Sequence, residues 1–204
     1  IELDVPTLIL VAGVSASGKT TLSRELARNI YDIAPIDKDT INEAFLTTHS
    51  EEDTGVLVYK FSGPIIPRDH EHYRHSVRFQ SYHAMLELAR DVLEVGNHPL
   101  LDGNYAKEIH LGYIGAIVTP FFQEIPHKRK LIACHADEET IRRRIIERGS
   151  PRDVAKIESE KAWRIFIEEE PFLAPELEEY DHIKIDTTKP LDENALLAIE
   201  YLRS

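Results

Sequence analysis

The chain has 204 residues, of which 42% are hydrophobic and 29% are charged, and its formal net charge is -12. No apolar run approaches the ~20 residues of a membrane-spanning helix. The acidic N-terminal segment is unlike a secretory signal, and the single cysteine, Cys134, excludes an internal disulfide and a cysteine-based zinc cluster, so we expect a cytoplasmic protein. The acidic balance also argues against bulk nucleic acid as a partner, since DNA-binding proteins are usually basic.

Strand-like apolar runs alternate with helix-like stretches along the chain. The strand-like runs are Thr7–Gly13, the short segment 34–39, His98–Asn104, Lys128–Ala136 and Asp181–Thr188. Helices are expected over 20–29, in one or two pieces over 68–95 with an end signal at Gly96-Asn97, over 138–149 and over 192–203. The stretch Thr47–Pro67 is expected to be a loop with a short helix or hairpin. This alternation predicts an α/β domain with a parallel sheet covered on both faces.

The first strand-like run leads into GVSASGKT, residues 13–20, which matches the pattern G-x-x-x-x-G-K-[ST]. Small residues let the backbone wrap around a phosphate with its N–H groups pointing inward, and the following helix adds its positive end. We expect Lys19 to act in catalysis at the β- and γ-phosphates and Thr20 to bind Mg²⁺. The expected nucleotide-binding residues of this loop are Gly13, Ser15, Ala16, Ser17, Gly18, Lys19, Thr20 and Thr21.

A phosphate-binding loop alone does not separate kinases, GTPases and motor ATPases. The chain has no N-K-x-D segment for guanine, and KIDTT at 184–188 is the nearest to one, which favours ATP over GTP. A mechanical ATPase normally needs a longer chain and a strand ending in Asp-Glu, whereas the candidate strand here ends in LLDGN at 100–104. The pattern therefore favours a small phosphoryl-transfer enzyme that uses ATP and Mg²⁺.

With these motifs the chain resembles the small P-loop kinases, the group of polynucleotide 5′-hydroxyl kinase, chloramphenicol phosphotransferase, gluconate and shikimate kinases and zeta toxins. The resemblance rests on the P-loop and on segments 36–45, 100–104 and 142–153, and it is weak over 47–78. It implies a three-layer P-loop NTPase fold with a five-stranded parallel sheet in the order 2-3-1-4-5. It also implies one kinase domain over residues 1–204, an acceptor-binding region at about 45–97 and a mobile lid at about 142–160.

The resemblance implies a carboxylate after the second strand that receives the proton of the acceptor hydroxyl. Asp39 matches this position, and Asp37 is the competing register. A carboxylate suits the task because it orients a neutral hydroxyl and accepts its proton. Acids two residues apart on a strand share a face, so we expect Asp37 to contact the substrate and Asp39 to lie near the metal as well. Alternatively, Asp39 caps a helix that starts at Thr40.

Asp102 and Asn104 follow the third strand-like run. Ligands of open parallel sheets bind at the carboxyl ends of the strands. We therefore expect Asp102 to hold Mg²⁺ through water or to bind the acceptor, and Asn104 to hydrogen-bond the same ligand. The alternative is an ordinary turn, because Asp-Gly-Asn is a common turn sequence.

An arginine-rich segment lies between residues 142 and 152. Arg144 and Arg148 are one helical turn apart, and Arg152 lies beyond Gly149 in the expected lid. By the resemblance, Arg148 and Arg152 contact the phosphates in catalysis, and Arg144 lies near the base or a phosphate. Guanidinium groups suit this role because they pair bidentately with phosphate.

Two other arginines of this segment, Arg142 and Arg143, are expected to face solvent and to pair with Glu138, Glu139 or Glu147. After the last strand, the resemblance places a loop along adenine. Thr188 is expected to line that pocket together with Thr187 and Pro190.

The acceptor side offers a segment rich in histidine and arginine over 68–83. Arg74 and Arg78 are four residues apart, so we expect them to share a helix face and to bind an anionic acceptor. The histidine spacings match no recognised zinc pattern, and we expect most of these histidines to be solvated or packed.

Three functions are consistent with these features. The first is transfer of the γ-phosphoryl of MgATP to a hydroxyl of a small molecule, the second is a polynucleotide 5′-hydroxyl kinase, and the third is a non-catalytic ATP-binding regulator. The net charge weighs against the second, and the presence of both Lys19 and Asp39 weighs against the third. The sequence determines neither the acceptor nor the oligomeric state.

Overall fold

The computed structural model describes residues 1–48 and 63–204. Its strands are β1 (Thr7–Ala12), β2 (Ile33–Asp37), β3 (His98–Asp102), β4 (Lys128–His135) and β5 (His182–Asp186). They form one five-stranded parallel sheet in the order β2-β3-β1-β4-β5, which confirms the expected fold class and strand order. Asp102 is in register with both Val11 and Asp37, so three neighbouring strands end at the same edge.

The helices connect the strands along the chain and lie on both faces of the sheet. They are α1 (Lys19–Asn29), α2 (Lys38–Leu46), α3 (Arg78–Glu94), α4 (Ala106–His110), α5 (Thr119–Phe121), α6 (Glu138–Arg148), α7 (Val154–Ile157), α8 (Glu160–Glu169) and α9 (Leu191–Arg203). Tyr73–Val77 and Ile114–Val118 form π-helical turns, and Pro151–Asp153 and Pro175–Glu179 form 3₁₀ turns. Among the described residues, no helix is both long and apolar enough to cross a membrane.

The helix expected over 68–95 is α3, preceded by a π turn. It ends at Glu94, and Val95 and Gly96 follow it. The φ of Gly96 is 87°, the left-handed conformation typical of a residue that follows a helix. Residues 49–62 of the stretch for which we expected a loop, helix or hairpin lie outside the described residues. At the ends of that stretch, Thr47 and Ile65 form an isolated antiparallel bridge.

Strand β1 lies in the middle of the sheet and is buried on both faces. Leu8 and Leu10 belong to the core on the side of α3, whereas Ile9 and Val11 belong to the core on the side of α1 and α9. Each of these side chains contributes ~1.5–3 kcal/mol of burial. This two-sided burial explains why β1 is a continuous apolar run, and it holds the glycine-rich loop that follows on a rigid support.

Candidate active site

A cleft of about 680 Å³ lies at the carboxyl ends of the strands. Although the whole chain is acidic, the described residues that line this cleft include more basic than acidic side chains. The basic ones are Lys19, Lys38, Arg68, Arg78, Lys107, Arg144, Arg148, Arg152, Lys156 and Lys189, and the acidic ones are Asp37, Asp39, Asp69, Asp102, Glu108, Glu169 and Glu170. A locally basic cleft suits the phosphates of a nucleotide.

The loop between β1 and α1 leaves no space for side chains at two of its glycines. Gly13 has a φ of 143°, and a Cβ atom there would lie 2.3 Å from the carbonyl oxygen of Cys134 and 2.5 Å from Oγ of Ser17. Gly18 has a φ of 87°, and a Cβ atom there would lie 2.9 Å from Cβ of Thr187. Both glycines are therefore required by backbone conformation and by close packing, as expected for a phosphate-binding loop.

Lys19 lies at the start of α1 and lines the cleft. Its ammonium donates a hydrogen bond to the carbonyl oxygen of Val14 at 2.7 Å. Burial lowers the pKa of Lys19, and the neighbouring Asp102 acts in the opposite direction. The lysine is thus held on the loop by one backbone contact that phosphate oxygens can replace.

Asp102 is only 4% exposed, and its Oδ2 atom is buried without a hydrogen-bond partner among the described residues. Burial raises the pKa of Asp102, while Lys19 and Thr20 act in the opposite direction. An orphaned carboxylate oxygen beside Thr20 fits the donor set of a hydrated Mg²⁺. The described part of the chain contains no cluster of three or more His, Cys, Asp or Glu side chains able to hold a metal. The remaining ligands of such an ion would therefore come from water and nucleotide phosphates.

Asp37 and Asp39 do not share a strand face, contrary to our expectation. Strand β2 ends at Asp37, whose side chain accepts a hydrogen bond from the backbone N–H of Asp39 at 2.7 Å and so caps α2. The helix begins at Lys38 rather than at Thr40, and the capping residue is Asp37 rather than Asp39. This cap leaves the carboxylate of Asp39, in the first turn of α2, available to the cleft.

Two arginines contact the Asp39 carboxylate from opposite parts of the chain. Arg68 donates to Oδ1 at 2.8 Å, and Arg152 donates to Oδ2. Burial alone would raise the pKa of Asp39, but the two guanidinium groups outweigh it and lower the pKa to about 2. Asp39 therefore joins the expected lid segment 142–160 to the segment before the π turn, and each of its carboxylate oxygens accepts from an arginine.

Arg144 connects the phosphate-binding loop to the loop after β5. It donates to the carbonyl oxygen of Thr187 at 2.7 Å, to Oγ1 of the same residue at 2.9 Å and to the carbonyl oxygen of Ala16 at 3.4 Å. Thr187 lines the cleft. Thr188 instead donates its hydroxyl to Asp186 at 2.7 Å, is exposed, and is not among the lining residues. Of the two threonines, the structure thus brings only Thr187 to the cleft.

Arg148 is held against the phosphate-binding loop through Ser15 and Asp153. It donates to Oγ of Ser15 at 2.8 Å and pairs with Asp153, which is 1% exposed. Asp153 also accepts from Lys156 at 2.9 Å and from Ser15 at 3.2 Å. We did not predict a role for Asp153 or Lys156 from the sequence. Their spacing of three residues on one helical stretch would have indicated an ion pair.

The two neighbouring arginines lie outside the lining of the cleft. Arg143 is 3.9 Å from Glu147, as expected. Arg142 pairs with Glu160 at the start of α8, not with the glutamates predicted for it, and its guanidinium lies 5.4 Å from the ring centroid of Trp163. Arg142 meets Glu160 because α8 packs against α6. Residue spacing within α6 alone gives no information about that packing.

Arg74 and Arg78 do not share a face. The π turn Tyr73–Val77 lies between them, and π hydrogen bonds align residues five apart instead of four. Tyr73 and Arg78 accordingly both line the cleft, while Arg74 is exposed and bonds to the carbonyl oxygen of Asp69. The expected acceptor-side pair is thus reduced to Arg78.

The side of the cleft next to α2 and α3 also contains residues that we did not predict from the sequence. Arg78 donates to Glu108, which is 8% exposed, at 2.6 Å. Lys38 is 7% exposed, and its ammonium lies 4.3 Å from the ring centroid of Tyr82. Burial lowers the pKa of Lys38 to about 8, and Glu108 acts against that shift. The position of Lys38 between two aspartates, in the segment 37–39, was the signal for this residue that the sequence offered.

Asn104 lines the cleft, as expected for a ligand-binding residue. The side-chain amide of Asn104 donates to Oε2 of Glu170 at 2.7 Å, and its backbone carbonyl oxygen accepts from the hydroxyl of Tyr82 at 2.7 Å. Glu170 directly follows α8 and lines the cleft together with Glu169, the last residue of that helix.

Solved structures similar to this chain have the fold of P-loop kinases. A protein from Chloroflexus aurantiacus J-10-fl, provisionally described as a kinase, is 17% identical with a TM-score of 0.66, over 97% of this chain and 99% of that one. A shikimate kinase from Bacteroides thetaiotaomicron is 17% identical with a TM-score of 0.58, over 98% and 99%. A gluconokinase from Sinorhizobium meliloti 1021 is 17% identical with a TM-score of 0.53, over 97% and 92%. The resemblance to small P-loop kinases is confirmed at the level of the fold.

A comparison with curated proteins gave no match. A family model described as an AAA domain matches residues 8–168, which is most of the chain. This range contains the phosphate-binding loop, Asp39, Asp102, Arg144, Arg148 and Arg152. The chain therefore belongs to this AAA-domain family and has a kinase-like P-loop fold.

Proposed function

We propose that the protein transfers the γ-phosphoryl group of ATP to a hydroxyl group of a small molecule. The observation that carries this proposal is that one cleft holds the phosphate-binding loop with Lys19, the carboxylate of Asp39, and Arg152 in contact with that carboxylate. These are the parts that phosphoryl transfer requires: a phosphate cradle, a group for the attacking hydroxyl, and cations for the transferring charge.

At phosphorus, the reaction forms one bond and breaks one. The acceptor oxygen bonds to the γ-phosphorus, and the bond from that phosphorus to the β,γ-bridging oxygen breaks, so that ADP leaves with the electron pair. The hydroxyl proton passes to Asp39. Lys19, Arg148 and Arg152 neutralise the charge on the phosphoryl oxygens.

The two arginines on Asp39 define how the carboxylate acts. With a pKa of about 2, Asp39 is always ionised near neutral pH but is a weak base. It is therefore suited to orienting the hydroxyl, and it takes the proton only when bond formation to phosphorus has made that proton acidic. Nucleotide phosphates compete with Asp39 for Arg152, which raises the basicity of the carboxylate once ATP is bound.

Thr20 and Asp102 would hold Mg²⁺, on the evidence of the orphaned Asp102 oxygen. When bound, the ion supplies further neutralisation of the phosphate charge. On the adenine side, Arg144 and Thr187 position the base next to the loop after β5. We further propose that residues 1–204 act as one kinase domain in the cytoplasm, with residues 142–160 as its lid.

The names of two similar structures support the small-molecule class. One is a gluconokinase and one is a shikimate kinase, so both names specify a small hydroxylated acid as the acceptor.

The test is Mg²⁺-dependent ADP production from ATP with and without acceptors. The panel contains sugars, sugar acids, sugar phosphates, nucleosides, nucleotide sugars and a 5′-hydroxyl oligonucleotide. Asp39→Asn is the test variant, and Glu139→Gln, an exposed acid in the first turn of α6, is its matched control. Stimulation by one small-molecule class that is lost only in Asp39→Asn supports the proposal. ATP binding without stimulation by any acceptor contradicts it, and stimulation by the oligonucleotide alone indicates the polynucleotide kinase.

A further inference from the structure

One carboxylate of the proposed lid, residues 142–160, is buried. Asp153 ends the 3₁₀ turn Pro151–Asp153 and is 1% exposed, whereas Pro151 and Val154 on either side of it are exposed. Asp153 is not among the described residues that line the cleft. Taking a carboxylate out of water is costly unless opposite charges and hydrogen bonds compensate for it, so the burial of Asp153 depends on its partners.

Two cations and one hydroxyl compensate for this burial. Arg148 donates to Oδ2 of Asp153, and Lys156 donates to Oδ1 at 2.9 Å. The hydroxyl of Ser15 also donates to Oδ1, at 3.2 Å. Burial alone would raise the pKa of Asp153, but Lys156 and Arg148 outweigh burial and lower the pKa, so the carboxylate is ionised near neutral pH. Asp153 thus joins the proposed lid to the phosphate-binding loop, which contains Ser15.

The contacts among Arg148, Ser15 and Asp153 form a closed triangle. Nη2 of Arg148 donates both to Asp153 and to Oγ of Ser15, the latter at 2.8 Å, and Ser15 donates its own hydrogen to Asp153. A guanidinium group is planar, so two contacts at one nitrogen restrict the orientation of the whole group. Within the described residues, Nη1 and Nε of Arg148 donate no hydrogen bond, and Arg148 lines the cleft. Its remaining donors are therefore available to a phosphate.

Lys156 is the second cation that Asp153 holds. It also lines the cleft, and its ammonium lies 5.0 Å from the ring centroid of Phe166. An ammonium has three donors, and within the described residues only one of them is used, for Asp153. One carboxylate is thus shared by Arg148 and Lys156, so the three side chains together present a net positive charge to the cleft.

We propose that Asp153 is a positioning residue, which holds Arg148 and Lys156 beside the phosphate-binding loop so that their remaining N–H groups meet the terminal phosphate of ATP. This inference rests on the proposed function and adds Asp153 and Lys156 to its machinery. Long cationic side chains lose conformational freedom when they bind a phosphate, and fixing them beforehand lowers that cost. Asp153 acts only through the two cations, because a carboxylate in contact with phosphate would repel it.

Binding measurements without any acceptor separate positioning from two other roles. Calorimetry gives the affinities for ADP and for a non-hydrolysable ATP analogue, each with Mg²⁺, and the ratio of the second to the first reports contacts with the terminal phosphate. We expect Asp153→Asn to lower this ratio about tenfold with little change in the affinity for ADP. If Asp153 only neutralised nearby charge, its loss would raise the ratio. If it only stabilised the fold, both ligands would bind more weakly at the same ratio. Either result overturns the proposal.

Two further variants show whether Asp153 acts through its partners. In the background of Arg148→Gln, Asp153→Asn should lower the ratio much less than it does in the wild type, and full additivity overturns the proposal. Ser15→Ala removes the hydroxyl but neither cation, so it decides the matter if the fluorescence of Trp163 shows that Asp153→Asn is unfolded. We expect Ser15→Ala to lower the ratio, and an unchanged ratio overturns the proposal.

The matched control is Glu158→Gln, an exposed acid of the same segment that is not among the described lining residues. It should give the wild-type ratio, and a fall equal to that of Asp153→Asn would contradict a specific role of Asp153.

The ADP assay gives an independent measurement. With an acceptor that the protein phosphorylates, Asp153→Asn should lower kcat by about tenfold or more with little change in the KM of the acceptor. An unchanged kcat overturns the proposal. A lowered affinity ratio without phosphorylation of any acceptor supports the positioning role of Asp153 and contradicts the proposed kinase function.

Discussion

Replacing Lys38 by methionine should make the protein more stable. Lys38 is only 7% exposed, and burial lowers its pKa from 10.5 to about 8. The folded state therefore holds a charge that water would solvate better. Methionine has nearly the same length and no charge, so it fills the same space without the desolvation cost.

The magnitude follows from the two pKa values. At about 1.4 kcal/mol per pH unit, a fall from 10.5 to about 8 corresponds to ~3 kcal/mol of lost stability at pH 7. Loss of the ammonium contact with the Tyr82 ring costs about 1 kcal/mol in return. We expect Lys38→Met to raise the free energy of unfolding by about 2 kcal/mol.

The stability gained by Lys38→Met should depend on pH in a predictable direction. Between pH 8 and 10.5 the unfolded chain binds more protons at position 38 than the folded protein does, so the stability contribution of Lys38 rises across this window. The advantage of Lys38→Met is therefore complete below about pH 8 and disappears by about pH 10.5. Tyrosines and Cys134 titrate in both proteins and cancel in the difference.

Urea unfolding provides the assay. Trp163 is the only tryptophan of the chain and is 2% exposed, so its fluorescence reports unfolding. Wild type, Lys38→Met and the exposed control Arg74→Met are compared at pH 7 and pH 10. A less stable Lys38→Met at pH 7, or a difference that is the same at both pH values, would refute the reasoning that Lys38 is a desolvated cation.

Four further substitutions test the cleft. Lys19→Ala should abolish ADP production while leaving the circular dichroism spectrum unchanged, and turnover near the wild-type rate would remove Lys19 from catalysis. Asp39→Asn should lower kcat by about 10²–10⁴ while ATP affinity, measured by titration calorimetry, is retained; an unchanged kcat would show that another group handles the proton. Gly18→Ala, whose Cβ would meet Thr187 at 2.9 Å, should weaken ATP binding, and unaltered affinity would show that the loop can move aside. Burial would raise the pKa of Asp153, but the basic partners of this carboxylate outweigh burial and lower the pKa below 3.8. The stabilising contribution of Asp153 is therefore present above about pH 3.8 and is lost as the pH falls further. Asp153→Asn should therefore be less stable at pH 7 and differ less from the wild type in acid, and equal urea midpoints at both pH values would contradict this.

The sequence by itself determined the elements that depend on local pattern. The largely buried strands β1, β3 and β4 contain apolar runs, and the edge strands β2 and β5 were located from their alternation with helical stretches. The glycines, the lysine and the threonine of the phosphate-binding loop are required by backbone conformation and by phosphate chemistry, so they too are visible in the sequence. The strand order came from the resemblance to P-loop kinases, because spacing alone does not say which strands are neighbours.

The tertiary structure decided which polar side chains meet. Asp37 caps α2 and frees Asp39, whose carboxylate is then shared by Arg68 and Arg152 from segments far apart in the chain. Residue spacing along a helix predicted the Arg143–Glu147 contact but no contact across the cleft. Ion pairs of this kind depend on how helices and loops pack, and local sequence carries little information about that packing.

The π turn before α3 shows that tertiary structure also decides which side chains of a single element face the cleft. A regular helix would have placed Arg74 beside Arg78, but the five-residue hydrogen-bond spacing turns Arg74 to solvent and Tyr73 to the cleft. Likewise, Lys38 lies between two aspartates in the sequence, and it becomes a buried cation because α2 packs against Tyr82 of α3. The sequence thus determined the phosphate-binding loop, which is one continuous segment of the chain. Only the folded chain determined the rest of the cleft, because residues from separate segments assemble it.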